Sequence, residues 1–278
     1  MLYLSIWSEF VEESDSPAQV SKDKNDWDGM RKKQPTNKRT LLILPVHNEA
    51  PLAPKVCHDL RNFLRKNRLI SALVVDDGST DGTAEAFRRG ISDGWRTSLM
   101  ALPTNGGKGR AVRLAFLRSK ADFIIFTDGD LAYSFDHIAP LLDSLKHHDV
   151  VIGSRSMAPQ AQGGLPARRA FLGWGFNRLA CLFFGFDYPD TQAGLKGFTA
   201  EAARKIFSRQ KLNYFAFDAE LLYLAKKLGL QVGQIPAQVS SEHTYKTSQV
   251  KLLVDSLLCL KDFLLVRWWS TTGAYKLP

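Results

Sequence analysis

The fold class this sequence predicts is an α/β domain built on a mostly parallel sheet, and three observations predict it. Short apolar runs, Leu41 to Pro45, Ala72 to Val75 and Phe123 to Phe126, each stop at a polar turn. The stretches Pro54 to Asn67 and Thr83 to Arg89, which follow the first two runs, space their apolar residues with a helical period. A chain of 278 residues with 45% hydrophobic content can bury one large core, and about 250 residues in one α/β domain is ordinary. Strand, helix, strand and helix in that order imply parallel pairing through right-handed crossovers.

Taken in order, residues 1–39 come first and have little that could form a core. Glu12 to Asp28 is acid-rich and Arg31 to Arg39 is basic, so the segment is read as a disordered tail. Leu2 to Trp7 is too short, and too soon followed by Glu9, Glu12 and Glu13, for a cleavable signal peptide. Residues 40–249 carry the strand and helix pattern and form the expected domain. Within it, Gly106-Gly107-Lys108-Gly109 opens a helical stretch, and the spacing of Leu221, Leu222, Leu224, Ala225 and Leu228 predicts a helix with Asp218 and Glu220 near its start. Residues 250–278 are read as a C-terminal amphipathic helix and tail, rich in Leu but interrupted by Lys251, Asp255, Lys261, Asp262 and Arg267. A charge at the centre of a bilayer costs about 2.5–3.5 kcal/mol. That stretch is therefore expected to lie along an interface, with Trp268 and Trp269 at headgroup depth. Pro166 to Tyr188, aromatic-rich and carrying Arg168, Arg169 and Arg178, is expected to do the same. Cys57, Cys181 and Cys259 sit in apolar contexts without metal-ligand spacing and read as buried thiols of a reducing, cytoplasmic compartment.

The polar turns carry the chemistry. In such sheets ligands bind outside the carboxyl ends of the strands. Asn48, Glu49, Asp76, Asp77, Asp128 and Asp130 all fall at such ends, so one crevice can collect them. Asp128 and Asp130, one residue apart, can hold a divalent cation between them. Mg²⁺ or Mn²⁺ prefers hard oxygen ligands and keeps positions open for substrate phosphates, so the pair points to a metal–diphosphate site. The Gly106–Gly109 turn offers backbone N–H groups and Lys108 to an anion. It is no Walker motif, and Gly173-Trp174-Gly175 lacks the third glycine and preceding strand of a dinucleotide fingerprint, which disfavours a dehydrogenase. The net charge of +9 does not bring Lys and Arg into runs interleaved with stacking aromatics, so nucleic acid is excluded as a partner. A basic surface equally suits an anionic membrane or a phosphate substrate.

From Thr40 to Arg267 the chain resembles the glycosyltransferase family 2 enzymes of the GT-A fold. Pro45-Val46-His47-Asn48-Glu49, Val75 to Thr83, Asn105 to Gly109 and Thr127-Asp128-Gly129-Asp130 match that family's pattern in order and spacing. Gly153-Ser154-Arg155, Asp190 to Phe198 and Phe217-Asp218-Ala219-Glu220 look like the branch that makes dolichyl-phosphate glucose and related polyprenyl-phosphate sugars. Ala193 and Leu195 stand where that branch often has Cys and Phe. Ala132 stands near the position where mannose-transferring relatives carry Gln. The chain also lacks the membrane-spanning segments of many members.

The resemblance implies a single-domain, mostly parallel Rossmann-like sheet flanked by helices. It also implies an inverting, metal-dependent transfer from a nucleotide-sugar, with UDP-glucose expected, to a polyprenyl phosphate at a membrane surface. Asp128 and Asp130 would hold the metal and the donor diphosphate; Pro45, Glu49 and Asp76 would hold base and ribose. Lys108 and Arg155 would add positive charge. Asp190 and Asp218 are the catalytic candidates on the sugar and acceptor side, with Gln192 beside them and Lys196 for the acceptor phosphate. His243 and Lys246 stand where a segment could close over the site, although His243 also reads as an ordinary loop histidine. Two alternatives stay open: transfer to a soluble carbohydrate or small-molecule hydroxyl, which needs a general base, and nonenzymatic sensing of a nucleotide-sugar. Oligomeric state is not legible.

Overall fold

The computed structural model describes residues 38–91, 95–158, 167–214, 216–240 and 252–276. The apolar runs become strands β1 (Thr40–Val46), β2 (Ile70–Asp76) and β4 (Phe123–Phe126). The helical stretches become α1 (Ala53–Lys66) and α2 (Thr83–Gly90). Four further strands complete the sheet: β3 (Thr97–Ala101), β5 (Val150–Ser154), β6 (Lys196–Thr199) and β7 (Val232–Pro236). Their order is β3-β2-β1-β4-β6-β5-β7. All neighbours run parallel except β6, which lies antiparallel between β4 and β5.

The remaining helices are α3 (Lys108–Arg118), α4 (Ile138–Ser144), α5 (Ala167–Phe184), α6 (Ala200–Phe207), α7 (Phe217–Lys227) and α8 (Leu252–Thr271). They cover both faces of the sheet, as a parallel sheet requires. Successive side chains of a strand point to opposite faces, and β1 shows it: Ile43 joins a core with α3, α6 and α7, while Leu42 and Leu44 join one with α1 and α4. Thr199 caps α6 by accepting from the Ala202 amide at 3.3 Å.

Two expectations change here. The helix within residues 250–278 is no appendage, because Cys259, Phe263 and Val266 are buried in the same core as α5 and α7. Phe263 meets the rings of Phe176, Phe183 and Phe184 at 5.2, 5.9 and 4.9 Å. In Pro166 to Tyr188 the inner side likewise belongs to the core: Ala180, Cys181, Phe184 and Phe186 are buried. Only the outer sides of these helices remain for an interface. Among the described residues no helix is long and apolar enough to cross a membrane. The three cysteines are free and buried, as read. Of the expected N-terminal tail, residues 1–37 lie outside the described residues; Arg39 joins the domain, its amide donating to Asp122 at 2.8 Å.

Candidate active site

Because β1 lies between β2 and β4, their carboxyl ends meet at one edge of the sheet. Much of the acid in the first two turns knits the edge together. Asn48, held at φ 53°, donates its amide to Ser79 Oγ at 2.9 Å and accepts from the Thr80 amide at 2.9 Å. The Glu49 amide donates to Thr83 Oγ1 at 2.7 Å and that of Ala50 to Asp81 at 3.1 Å. Asp76 accepts from the Ser79 amide at 3.1 Å and from the Ser79 hydroxyl. Asp77, also buried, accepts from the Gly106 amide at 3.1 Å and the Gly107 amide at 2.7 Å. The glycine turn expected to offer its N–H groups to a ligand anion therefore gives two of them to an internal carboxylate. Its Lys108 side chain instead reaches Asp128.

The third turn holds the carboxylate pair. Asp128 and Asp130 flank Gly129, where a Cβ would collide with the Pro45 carbonyl, so the turn sits directly on the end of β1. The Ala132 amide donates to Asp130 at 3.1 Å. Leu131 between them takes φ 55°, a left-handed conformation that costs roughly 1–2 kcal/mol for a residue with a Cβ. Strain of this kind collects at functional sites. Gly194 packs so closely on the other side of Asp128 that any Cβ would strike the carboxylate.

Three cation–carboxylate pairs surround this turn. Lys108 Nζ binds Asp128. Arg155 meets Asp190 with Nε at 2.7 Å and an Nη at 2.8 Å, and its amide adds a third bond at 3.0 Å. Lys196, at 0% exposure, donates to Asp218 at 2.5 Å and to the Ala193 carbonyl at 2.7 Å. Lys196 and Arg155 also act on Asp128, and Asp218 and Asp130 on Lys108, so the pairs share one electrostatic neighbourhood. Burial would raise the Asp128 carboxyl, but the charge and hydrogen bond of Lys108, with the charges of Lys196 and Arg155, together outweigh it and the pKa falls below the usual aspartate value. Asp190 follows the same pattern, with Arg155 overcoming burial. Burial pulls Lys196 below the usual lysine value against the attraction of Asp218.

The assignments shift accordingly. Asp128, Asp130, Lys108, Arg155, Asp190, Lys196 and Asp218 come together as expected. Asp190 and Asp218, the catalytic candidates, each already hold a cation. Lys196, expected to meet an acceptor phosphate, lies inside the sheet at the head of β6. Gln192 reaches the cluster through its amide, 3.3 Å from Asp190. Pro45, Glu49 and Asp76 lie at or just after the ends of β1 and β2, with the Pro45 carbonyl against Gly129 of the carboxylate turn. His243 and Lys246 lie outside the described residues. Sequence reasoning missed Tyr133, a buried phenol whose pKa is raised by burial and which lies within the influence of Arg155, Asp190 and Asp128. Its place three residues after Asp130 was the only available signal.

Asp128 and Asp130 supply hard carboxylate oxygens of the kind that a divalent cation accompanying a diphosphate would take. Among the described residues no group of three or more His, Cys, Asp or Glu side chains gathers to form an all-protein metal cage. Two hard carboxylates beside a lysine leave the remaining positions to phosphate oxygens, the arrangement usual for Mg²⁺.

Known proteins share this fold. The family model described as Glycosyl transferase family 2 matches residues 41–207. The dolichyl-phosphate beta-glucosyltransferase of Saccharomyces cerevisiae is 28% identical over 256 residues, covering 84% of this chain and 76% of its own length. The Homo sapiens protein of that name is 29% identical over 256 residues, covering 86% and 78%. Among solved structures, glucosyl-3-phosphoglycerate synthase from Mycobacterium tuberculosis with Mn²⁺, UDP and glucosyl-3-phosphoglycerate superposes with a TM-score of 0.61. It shares 16% identity, over 92% of this chain and 86% of that one. Mannosyl-3-phosphoglycerate synthase from Rubrobacter xylanophilus gives 0.59 at 18% identity, over 85% and 75%. The fold is GT-A, and the chain belongs to glycosyltransferase family 2.

Proposed function

We propose that this glycosyltransferase moves glucose from UDP-glucose to a polyprenyl phosphate of the dolichyl type, with inversion at the sugar. The observation that carries the acceptor class is the state of the two candidate bases. Asp190 is held in a fork by Arg155 and Asp218 is paired with buried Lys196. A hydroxyl acceptor needs a base to take its proton, whereas a phosphate monoester is already anionic near neutral pH. Two candidate bases already matched by cations suit the anionic acceptor. The names of the curated relatives support the same reading, and a β-linked product from an α-linked donor requires one inversion. Ala132 in place of Gln favours glucose over mannose.

Asp128 and Asp130 would hold Mg²⁺ or Mn²⁺, which supplies charge neutralisation for the leaving diphosphate. Lys108 adds a fixed positive charge on the same side. Asp190 holds Arg155 in place, and the Lys196–Asp218 pair supports the acceptor side without removing a proton. Turnover of UDP-glucose, GDP-mannose and UDP-galactose with and without polyprenyl phosphate tests this. UDP-glucose consumption that depends on the lipid phosphate is expected. Transfer to soluble hydroxyls alone, or tight GDP and no UDP binding, overturns it, and binding without turnover under any condition leaves only a sensor.

A lipid acceptor calls for a membrane surface, and the outer sides of α5 and α8 suit one. Trp174, Leu182 and Trp268 are 63%, 80% and 59% exposed. Leu258 and Leu264 are also exposed, interspersed with exposed Arg178, Lys261 and Arg267. Apolar and cationic side chains mixed on one surface bind anionic lipid. Three free, buried thiols suit the cytoplasmic face of such a membrane. Sedimentation with phosphatidylserine-containing liposomes is expected for the native protein. Trp174→Ser, Leu182→Ser and Trp268→Ser together should release it at unchanged melting temperature. Phe183 and Phe184 of the same helix would be the wrong probes, since Phe184 is buried and Phe183 packs on the core. Undiminished sedimentation of the triple variant rejects this face.

A further inference from the structure

Two residues after Asp218, a second acid of α7 has a different environment. Glu220 is 0% exposed and accepts three hydrogen bonds: from the Lys211 amide at 3.0 Å, the Leu212 amide at 2.8 Å and the Tyr275 hydroxyl at 2.7 Å. Burial raises its pKa against those donors. An acid in the core is costly, and an apolar side chain in its place would leave two backbone amides unsatisfied. Tyr275 belongs to the turn after α8, is itself buried, and sets its ring edge-on to Trp269 at 6.1 Å.

The segment that Glu220 holds is moulded against the glycine turn that starts α3. The Asn213 carbonyl accepts from the Gly109 amide at 2.7 Å, and Gln210 Nε2 donates to the Gly109 carbonyl at 3.1 Å. Gln210 also donates to the Leu212 carbonyl at 2.7 Å, and Arg113 of α3 donates to the Gln210 carbonyl at 2.7 Å. A Cβ at Gly109 would come within 2.8 Å of the Leu212 carbonyl, and one at Gly107 would collide with that of Asn213. Lys108 stands between these two glycines and reaches Asp128. The contacts thus run without a gap from Tyr275 through Glu220 and residues 210–213 to the lysine of the diphosphate side.

We propose that Glu220 and Tyr275 are positioning residues for the donor site, fixing through residues 210–213 the turn from which Lys108 reaches, so that the turn after α8 is a working part of that site. The proposal rests on the transferase reading above for its consequence in donor binding, and on the contacts alone for the latch itself.

Tyr275→Phe removes the hydroxyl and keeps the ring, and Glu220→Gln keeps the shape and removes the charge. In hydrogen exchange, either variant should speed the amides of Lys211, Leu212 and Gly109 about tenfold, the loss of one buried hydrogen bond, and leave those of β2 unchanged. UDP binding by calorimetry should weaken about fivefold, with donor KM rising alike and kcat within about twofold of native. In a Lys108→Ala background, Tyr275→Phe should leave UDP affinity where Lys108→Ala alone puts it, a result that a general loss of stability would not give. Unchanged exchange in both variants overturns the latch whatever the substrate. Faster exchange with native UDP affinity overturns the positioning role. If the native protein binds no UDP, the transferase reading falls with it, and the exchange arm decides the latch alone.

Discussion

Asp130→Asn, with the fold intact, is expected to cut turnover on the order of a thousandfold, and Asp128→Asn to do at least as much. The size follows from the role proposed for the pair: a cation that neutralises a leaving diphosphate contributes several kcal/mol to the transition state, and each 1.36 kcal/mol is tenfold in rate. An amide keeps the shape of the carboxylate and gives up its charge. Asp128→Asn also removes the partner of Lys108, but that pair is partly exposed, so little stability should go with it. Turnover and thermal melting measured on the same preparations separate the two effects, and excess chelator should silence the native enzyme. Full activity in chelator would end the metal mechanism.

Lys196→Ala is expected to act on the fold before it acts on the chemistry. The substitution leaves Asp218, 9% exposed at its side chain, without its cation, and empties the volume of a wholly buried lysine beside the Phe126 ring. Breaking a buried ion pair from one side costs about 3–5 kcal/mol. For a domain of this size that lowers the melting temperature by roughly 10 °C. Replacing both partners with apolar residues, Lys196→Met with Asp218→Leu, should recover much of the loss, because no uncompensated charge remains. Denaturant unfolding of the native protein and the two variants checks this. A Lys196→Ala protein as stable as the native one, with only acceptor KM raised, would restore the role that the sequence suggests for Lys196.

The contrast shows what could be read from residue order. Strands β1, β2 and β4 were legible because apolar runs end in turns, and the GT-A sheet follows from their alternation with helices. The acids at those ends were legible as candidates for the same reason. Their division of labour was not, since it depends on pairs far apart in the chain: Asp77 with Gly106 and Gly107, Arg155 with Asp190, Lys196 with Asp218. Strand β6 escaped notice because it is four residues long and opens on a lysine. Being antiparallel, it brings to the ligand edge the residues that precede it, so a search for acids following apolar runs passes over its contribution. Glu220 read as a helix-start acid because the residues it binds, Lys211 and Leu212 before it and Tyr275 well after it, show no local pattern.

Gly194 gives the site a property that matters for redesign. Its α-carbon is the whole thickness of the wall between the turn that carries Asp128 and the loop that carries Asp190 and Gln192. With Asp128 on the donor side and residues 190–195 on the acceptor side, as proposed, the two specificities would not be separable modules. Changes to residues 190–195 meant to admit a new acceptor should then be transmitted to the Asp128 carboxylate, and libraries that vary one side should co-vary the other.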